Sequence, residues 1–220
     1  MITIGGTNIT KAYLGSTELK NIAIGDKLLL SSGPQVPVPI EYLESTGTQY
    51  IDTGYCPNAQ TVVNFRCSTT MNNKRVCGVR DSNAKNNFEC IAYGGSLGFI
   101  FRVQTSSNIT FPAQSDTIYD IMMSLTTITV NDTTKTSTRS SLSESFPLVL
   151  FAGYLADQST KVSNFSNTKM YSFSISENNV LKKDFIPVRV GRTGYLYDRV
   201  SDQLYGNSGT GNFVLGNDIT

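Results

Sequence analysis

Apolar and polar residues alternate with a period of two along most of this chain. Val63, Phe65 and Cys67 interleave with Val62, Asn64 and Arg66, and Phe99, Phe101 and Val103 with Ile100 and Arg102. Tyr171, Phe173 and Ile175 interleave with serines. Ile121, Met123 and Leu125 form a further set, and Ile128 and Val130 another after Thr126-Thr127. That period puts every second side chain on one face, as in a half-buried strand. Residues 148–151 are continuously apolar, as a central strand is. Asn, Gly and Ser separate the segments and predict turns. No stretch predicts a helix longer than a turn or two. Residues 131–145 are polar and low in complexity, and read as a hairpin end and a mobile loop. The pattern predicts an all-β chain whose main body, residues 40–220, is a two-sheet sandwich or jelly roll.

The first thirty residues carry a second pattern, of period ten. Ile4-Gly5-Gly6-Thr7-Asn8-Ile9 aligns with Leu14-Gly15-Ser16-Thr17-Glu18-Leu19 and with Ile24-Gly25-Asp26-Lys27-Leu28-Leu29. Each glycine falls where a tight turn needs positive φ. The stretches 9–14 and 19–24 are of strand length, so residues 1–33 predict a small β-meander. Such a meander is marginal in water without a covered face. It is expected to pack on its own sandwich, on symmetry mates or on a docking surface, with Ile4, Gly5, Leu14, Gly15, Ile24 and Gly25 as the docking residues. The alternating prolines at 34, 37 and 39 favour polyproline II and make 34–39 a semi-rigid spacer.

Two segments of the sandwich region carry more specific motifs. One is Glu41-Tyr42-Leu43-Glu44-Ser45-Thr46-Gly47-Thr48-Gln49-Tyr50-Ile51-Asp52-Thr53-Gly54-Tyr55. The other runs from Met170-Tyr171-Ser172-Phe173 through Asp184-Phe185-Ile186-Pro187-Val188 and Gly194-Tyr195-Leu196-Tyr197-Asp198 to Leu204-Tyr205-Gly206-Asn207-Ser208-Gly209-Thr210-Gly211-Asn212-Phe213. Together they resemble the concanavalin A-like, laminin-G-like jelly-roll domains found in virion fibre and tail proteins of gut-bacterial phages. The repeat unit Lys11-Ala12-Tyr13-Leu14-Gly15-Ser16-Thr17-Glu18-Leu19 is similar to short repeats that precede such domains. The middle, about 60 to 165, matches in strand pattern alone. The resemblance implies a two-sheet jelly roll with its first and last strands close together. It also implies a protein of the virion surface, made in the host bacterial cytoplasm and anchored to capsid or tail proteins. Homotrimers are usual for such fibres, and host-surface or mucus glycans are the candidate ligands. A stand-alone carbohydrate-binding module or bacterial surface lectin is the alternative. The motifs also read as structure: Tyr50, Ile51 and Tyr55 as apolar mass, Asp198 as the closure of a turn, Gly206, Gly209 and Gly211 as a tight terminal loop.

Composition narrows the chemistry. The net charge is +1 with no basic stripe, which argues against nucleic acid. No run approaches the ~18 apolar residues of a membrane span. The N-terminus lacks the basic and apolar regions of a signal peptide, so the chain is expected to start in the cytoplasm, with later release by a route such as lysis left open. There is no histidine, which removes the commonest general base. Glu41 and Glu44, three apart on a strand, fall on opposite faces and cannot flank a sugar as a catalytic pair. The chain is expected not to be an enzyme and to need no cofactor. A zinc site would need all four thiolates of Cys56, Cys67, Cys77 and Cys90, which lack the tight ligand pairs of structural sites. Reduced, buried thiols are the plainer reading, with a disulfide open in an oxidising medium. Asp81, Asp116, Asp132, Asp157, Asp198 and Asp202 show no compact calcium-loop spacing. For glycan contact the candidates are Tyr93, Tyr154, Tyr195 and Tyr205, near predicted turns. Their other reading is as core or corner tyrosines.

Overall fold

The computed structural model describes residues 2–4, 7–9, 13–14, 17–18, 21–24, 27–31, 36–82, 86–103 and 108–219, the first six segments as backbone ladders. The chain divides into two compact units, Met1–Val36 and Pro37–Thr220. Among the described residues of the first, pairing falls inside each repeat. Ile2–Ile4 pairs with Thr7–Ile9, Tyr13–Leu14 with Thr17–Glu18, and Asn21–Ile24 with Lys27–Ser31, all antiparallel. The described part of the expected meander is three two-stranded ladders. Ile4, Leu14 and Ile24 hold equivalent places, in the pairs Ile4↔Thr7, Leu14↔Thr17 and Ile24↔Lys27. Gly5, Gly15 and Gly25 lie outside the described residues.

The second unit is all-β, two sheets packed face to face. The larger sheet orders Thr133–Thr136, Thr127–Val130, Ile118–Ser124, Thr61–Thr69, Asn167–Glu177, Val180–Val190, Thr193–Asp198 and Gln203–Tyr205. The smaller orders Ile109–Phe111, Gly98–Val103, Asn87–Tyr93, Lys74–Arg80, Val149–Leu150 and Ile51–Asp52. Among the described residues the one helical element is a 3₁₀ turn, Gly95–Leu97. Val38–Pro39 pairs with Val180–Val190, so the end of the proline-rich stretch is already sandwich.

Alternation builds the core between the sheets. Val63, Phe65, Cys67, Ile121, Met123, Phe173 and Ile175 face it from the larger sheet, and Cys90, Phe99, Phe101 and Val103 from the smaller. Phe65 stacks on Phe173 at 5.3 Å, and Phe99 meets Tyr119 edge-on at 5.2 Å. The polar stretch 131–145 contributes a fully exposed edge strand, Thr133–Thr136. Lys135 ties that edge down, its Nζ donating to the Thr110 carbonyl at 2.6 Å. Two features depart from simple alternation. The outer side of the smaller sheet is buried too: Ile91, Ile100 and the Arg75–Glu89 ion pair, Nε to Oε1 at 3.0 Å, are shielded from solvent there, and Gly153 lies directly against the Arg75 side chain. And the pairing of Thr61–Thr69 with Asn167–Glu177 carries a bulge between Arg66 and Cys67, so that Arg66 faces Ser172 and Cys67 faces Met170. Met170 therefore enters the core in place of Tyr171, which turns outward. The expectation that Tyr171 shares a face with Phe173 and Ile175 is corrected by that one inserted residue.

The two family-like segments fold onto each other. Val214–Leu215 pairs with Leu43–Thr46, and Ile40 bridges Asp218. Gln49 is the fastener: its Oε1 accepts from the Thr46 amide at 2.8 Å, and its Nε2 donates to the Asn212 carbonyl at 3.0 Å. The Thr48 hydroxyl donates to the Thr210 carbonyl, and the Asn207 side chain accepts from the Tyr50 amide. Gly209 passes so close to Thr48 that a Cβ there would sit 2.2 Å from its carbonyl oxygen. These motifs are the closure of the sandwich. Asp198, fully buried, closes the next turn. Its carboxylate accepts from the amides of Asp184 and Val200, the Ser201 hydroxyl at 2.6 Å and Lys183 at 3.1 Å.

Candidate functional site

Tyr93, Tyr154, Tyr195 and Tyr205 do not converge. Tyr93, 36% exposed, ends an interior strand of the smaller sheet beside Gly94. Tyr154 stacks on Phe146 at 5.0 Å and packs on the core. Tyr205 pairs with Leu196, meets Phe185 edge-on at 5.0 Å and accepts a 2.5 Å hydrogen bond from Lys183. Tyr195, one residue from Leu196 and so on the opposite face, lies over Gly206. Tyr154 and Tyr205 are thus core-packed tyrosines.

A concave feature lies on the outward face of the larger sheet, and register explains its lining. Thr129, Met122, Asn64, Ser174 and Asp184 stand side by side on five adjacent strands. Asp120, Arg66 and Ser172 form the neighbouring row. Every one of these is the outward partner of an inward apolar residue in its strand. Small side chains, Ser172, Ser174, Asn64 and Thr129, keep the floor low. Arg199 and Asn131 complete the rim of an open cavity of about 420 Å³.

Its charges are matched locally. Arg66 donates to Asp120 at 2.7 Å. Arg199 grips Asp184 with two nitrogens, Nε at 2.9 Å and Nη2 at 2.7 Å. The Asn131 side chain accepts from the Asp120 amide at 3.0 Å. Hydroxyls and a carboxamide are left facing the cavity between two neutralised ion pairs. That floor suits an uncharged, hydroxyl-rich molecule, because a charged ligand would have to displace one of the pairs.

The carboxylates considered for chemistry lie elsewhere. Glu44 sits on the strand Leu43–Thr46, and Glu41 accepts from Asn217 at 3.1 Å. Asp157 pairs with Arg80 and Asp202 accepts from Tyr197. Among the described residues no three His, Cys, Asp or Glu side chains come together as metal ligands. Cys67, Cys77 and Cys90 are buried free thiols, and Cys56 is an exposed one. Burial raises the thiols, that of Cys77 to about 12. One carboxyl stands out. Glu144 is 6% exposed and neither of its oxygens has a hydrogen-bond partner. Burial first, then the charges of Asp81 and Glu89, push it up to about 8.

Asn64, Asp120, Ser174, Asp184 and Arg199 were not legible as a group. The serine alternation around Phe173 was the only signal, and it says which face is outward but not which strands are neighbours. No protein-family model and no curated protein matches the chain.

Proposed function

We propose that this chain is a structural and adhesive protein of a bacteriophage particle. Its N-terminal hairpin repeat docks on capsid or tail proteins, and its jelly roll projects outward and holds uncharged host-surface or mucus glycans. The chain acts by binding rather than catalysis, and the particle surface is its place of work. The groove of Asn64, Ser172 and Ser174 between the Arg66–Asp120 and Arg199–Asp184 pairs carries the adhesive half of this reading. The resemblance of the two closing motifs and of the ten-residue repeat to phage fibre proteins supports the particle. The hairpins support an anchor: two-stranded ladders of two to five residues are too small to be stable alone. They gain most from a docking surface or from the symmetry mates of a homotrimer.

Deleting residues 1–36 tests the anchor. The expected result is a folded 37–220 fragment that no longer incorporates into particles of the phage encoding it. Normal incorporation would exclude docking through the repeat. The stand-alone lectin reading rests on the same groove, and it predicts that the deletion changes nothing but size.

A further inference from the structure

Next to the polar groove, on the same outward face, lies a second open cavity of about 460 Å³. It is lined by Tyr42, Tyr171, Arg66, Glu41, Ile118 and Ile219. The two cavities share a wall. Arg66 lines the second, Asp120 lines the first, and the two side chains are joined at 2.7 Å. The linings differ in kind: hydroxyls and amides in the first, rings and isoleucines in the second.

Tyr171 reaches this cavity because of the bulge. Unbroken alternation would place it inside with Phe173, and the core is instead completed by Met170. Bulges re-aim side chains, and they concentrate near functional sites. Here the effect is to exchange a core aromatic for a surface one. The ring is then held in place. Tyr42 meets it edge-on, centroids 5.7 Å apart at 66°. Tyr42 is itself fixed by the Lys169 ammonium 4.9 Å over its ring and by the close approach of Gly216, where a Cβ would fall 3.0 Å from the ring carbon Cδ1. Ile118 and Ile219, 42% and 52% exposed, border the ring with apolar surface.

We infer that Tyr171 is the stacking platform of a second subsite, which takes a pyranose ring of the glycan whose neighbouring unit lies in the serine groove. A sugar ring offers an apolar C–H face and a hydroxyl edge. The tyrosine, braced by Tyr42 and bordered by Ile118 and Ile219, fits the first, and Arg66 with Glu41 meets the second. Ser172 and Ser174 follow Tyr171 on one strand at ~3.3 Å per residue, so one extended chain of two or three sugar units reaches both cavities. The ligand class is a neutral, linear oligosaccharide. The inference rests on the glycan reading of the groove and adds to it a position and a minimum length.

Affinity electrophoresis of the full chain tests this. The gels contain xylan, mannan or linear β-1,3-glucan as neutral probes, and polygalacturonate as the charged control. The wild type is expected to be retarded by at least one neutral probe and not by the control. Tyr171→Ala should weaken that retention about tenfold, and Tyr171→Phe should leave it within about twofold, since the ring is what stacks. Melting curves of both variants check that this partly buried position tolerates the changes. Retention of the wild type with Tyr171→Ala unaffected and Ser174→Arg abolished overturns the subsite and leaves the groove standing. Retention by no neutral probe contradicts both. Retention by polygalacturonate alone contradicts the ligand class.

Discussion

Glu144 shows what a single buried group does to the whole molecule. Its carboxyl is raised from its ordinary 4.5 to about 8 by burial and by the nearby charges of Asp81 and Glu89. A raised acid favours the folded state only while it keeps its proton. Its contribution is therefore complete below about 4.5 and is lost as the pH climbs through about 8. Chemical denaturation across that window should show stability falling with rising pH, and Glu144→Gln should flatten the fall. An unchanged slope in the variant would place the titration elsewhere. Asp198 works in the opposite sense. Burial pushes its carboxyl up, but Ser201, the amides of Asp184 and Val200, and Lys183 together hold it below the usual value. Asp198→Ala leaves those donors and the Lys183 charge without their acceptor, and should cost about 3 kcal/mol in equilibrium unfolding. The thiols divide by exposure: a maleimide should label Cys56 alone in the native protein, and all four cysteines after denaturation.

At the level of elements, alternation identified the strands and their inward faces almost throughout. Val63, Phe65 and Cys67 point where the period of two puts them, as do Ile121 and Met123. The exceptions have local causes. Tyr171 is displaced by a bulge, and a bulge depends on the partner strand as much as on its own residues. Ile100, paired with Ile91, is buried on the side that alternation makes outward, because that face of the smaller sheet is itself shielded from solvent. In the ten-residue repeat the described residues pair within each repeat, while residues 10–12 and 19–20, in the stretches between its glycines, lie outside the described residues. The groove was the least legible part, since Asn64, Ser174 and Asp184 become neighbours only through register between distant segments. The closing motifs behaved as their structural reading implies. Gly209→Ala would drive a methyl group into the Thr48 carbonyl, and the melting temperature should drop by several degrees as the two ends separate. A melting temperature unchanged by that substitution would mean that the closure yields without cost.

At the scale of the whole molecule, a unit of three two-stranded ladders precedes a sandwich with its own core and closing motifs. The sandwich buries its apolar residues between the sheets and leaves one face low, polar and charge-balanced. A face of that kind, on a body joined to a weak repeat that needs a support, is the basis for reading the chain as an anchored adhesin. The most direct test is a glycan array probed with the labelled full chain beside Ser174→Arg, which fills the groove from an outward-facing, partly buried strand position. Binding confined to uncharged glycans and lost in the variant is the predicted result. Binding to no glycan, or equal binding by both proteins, would contradict it.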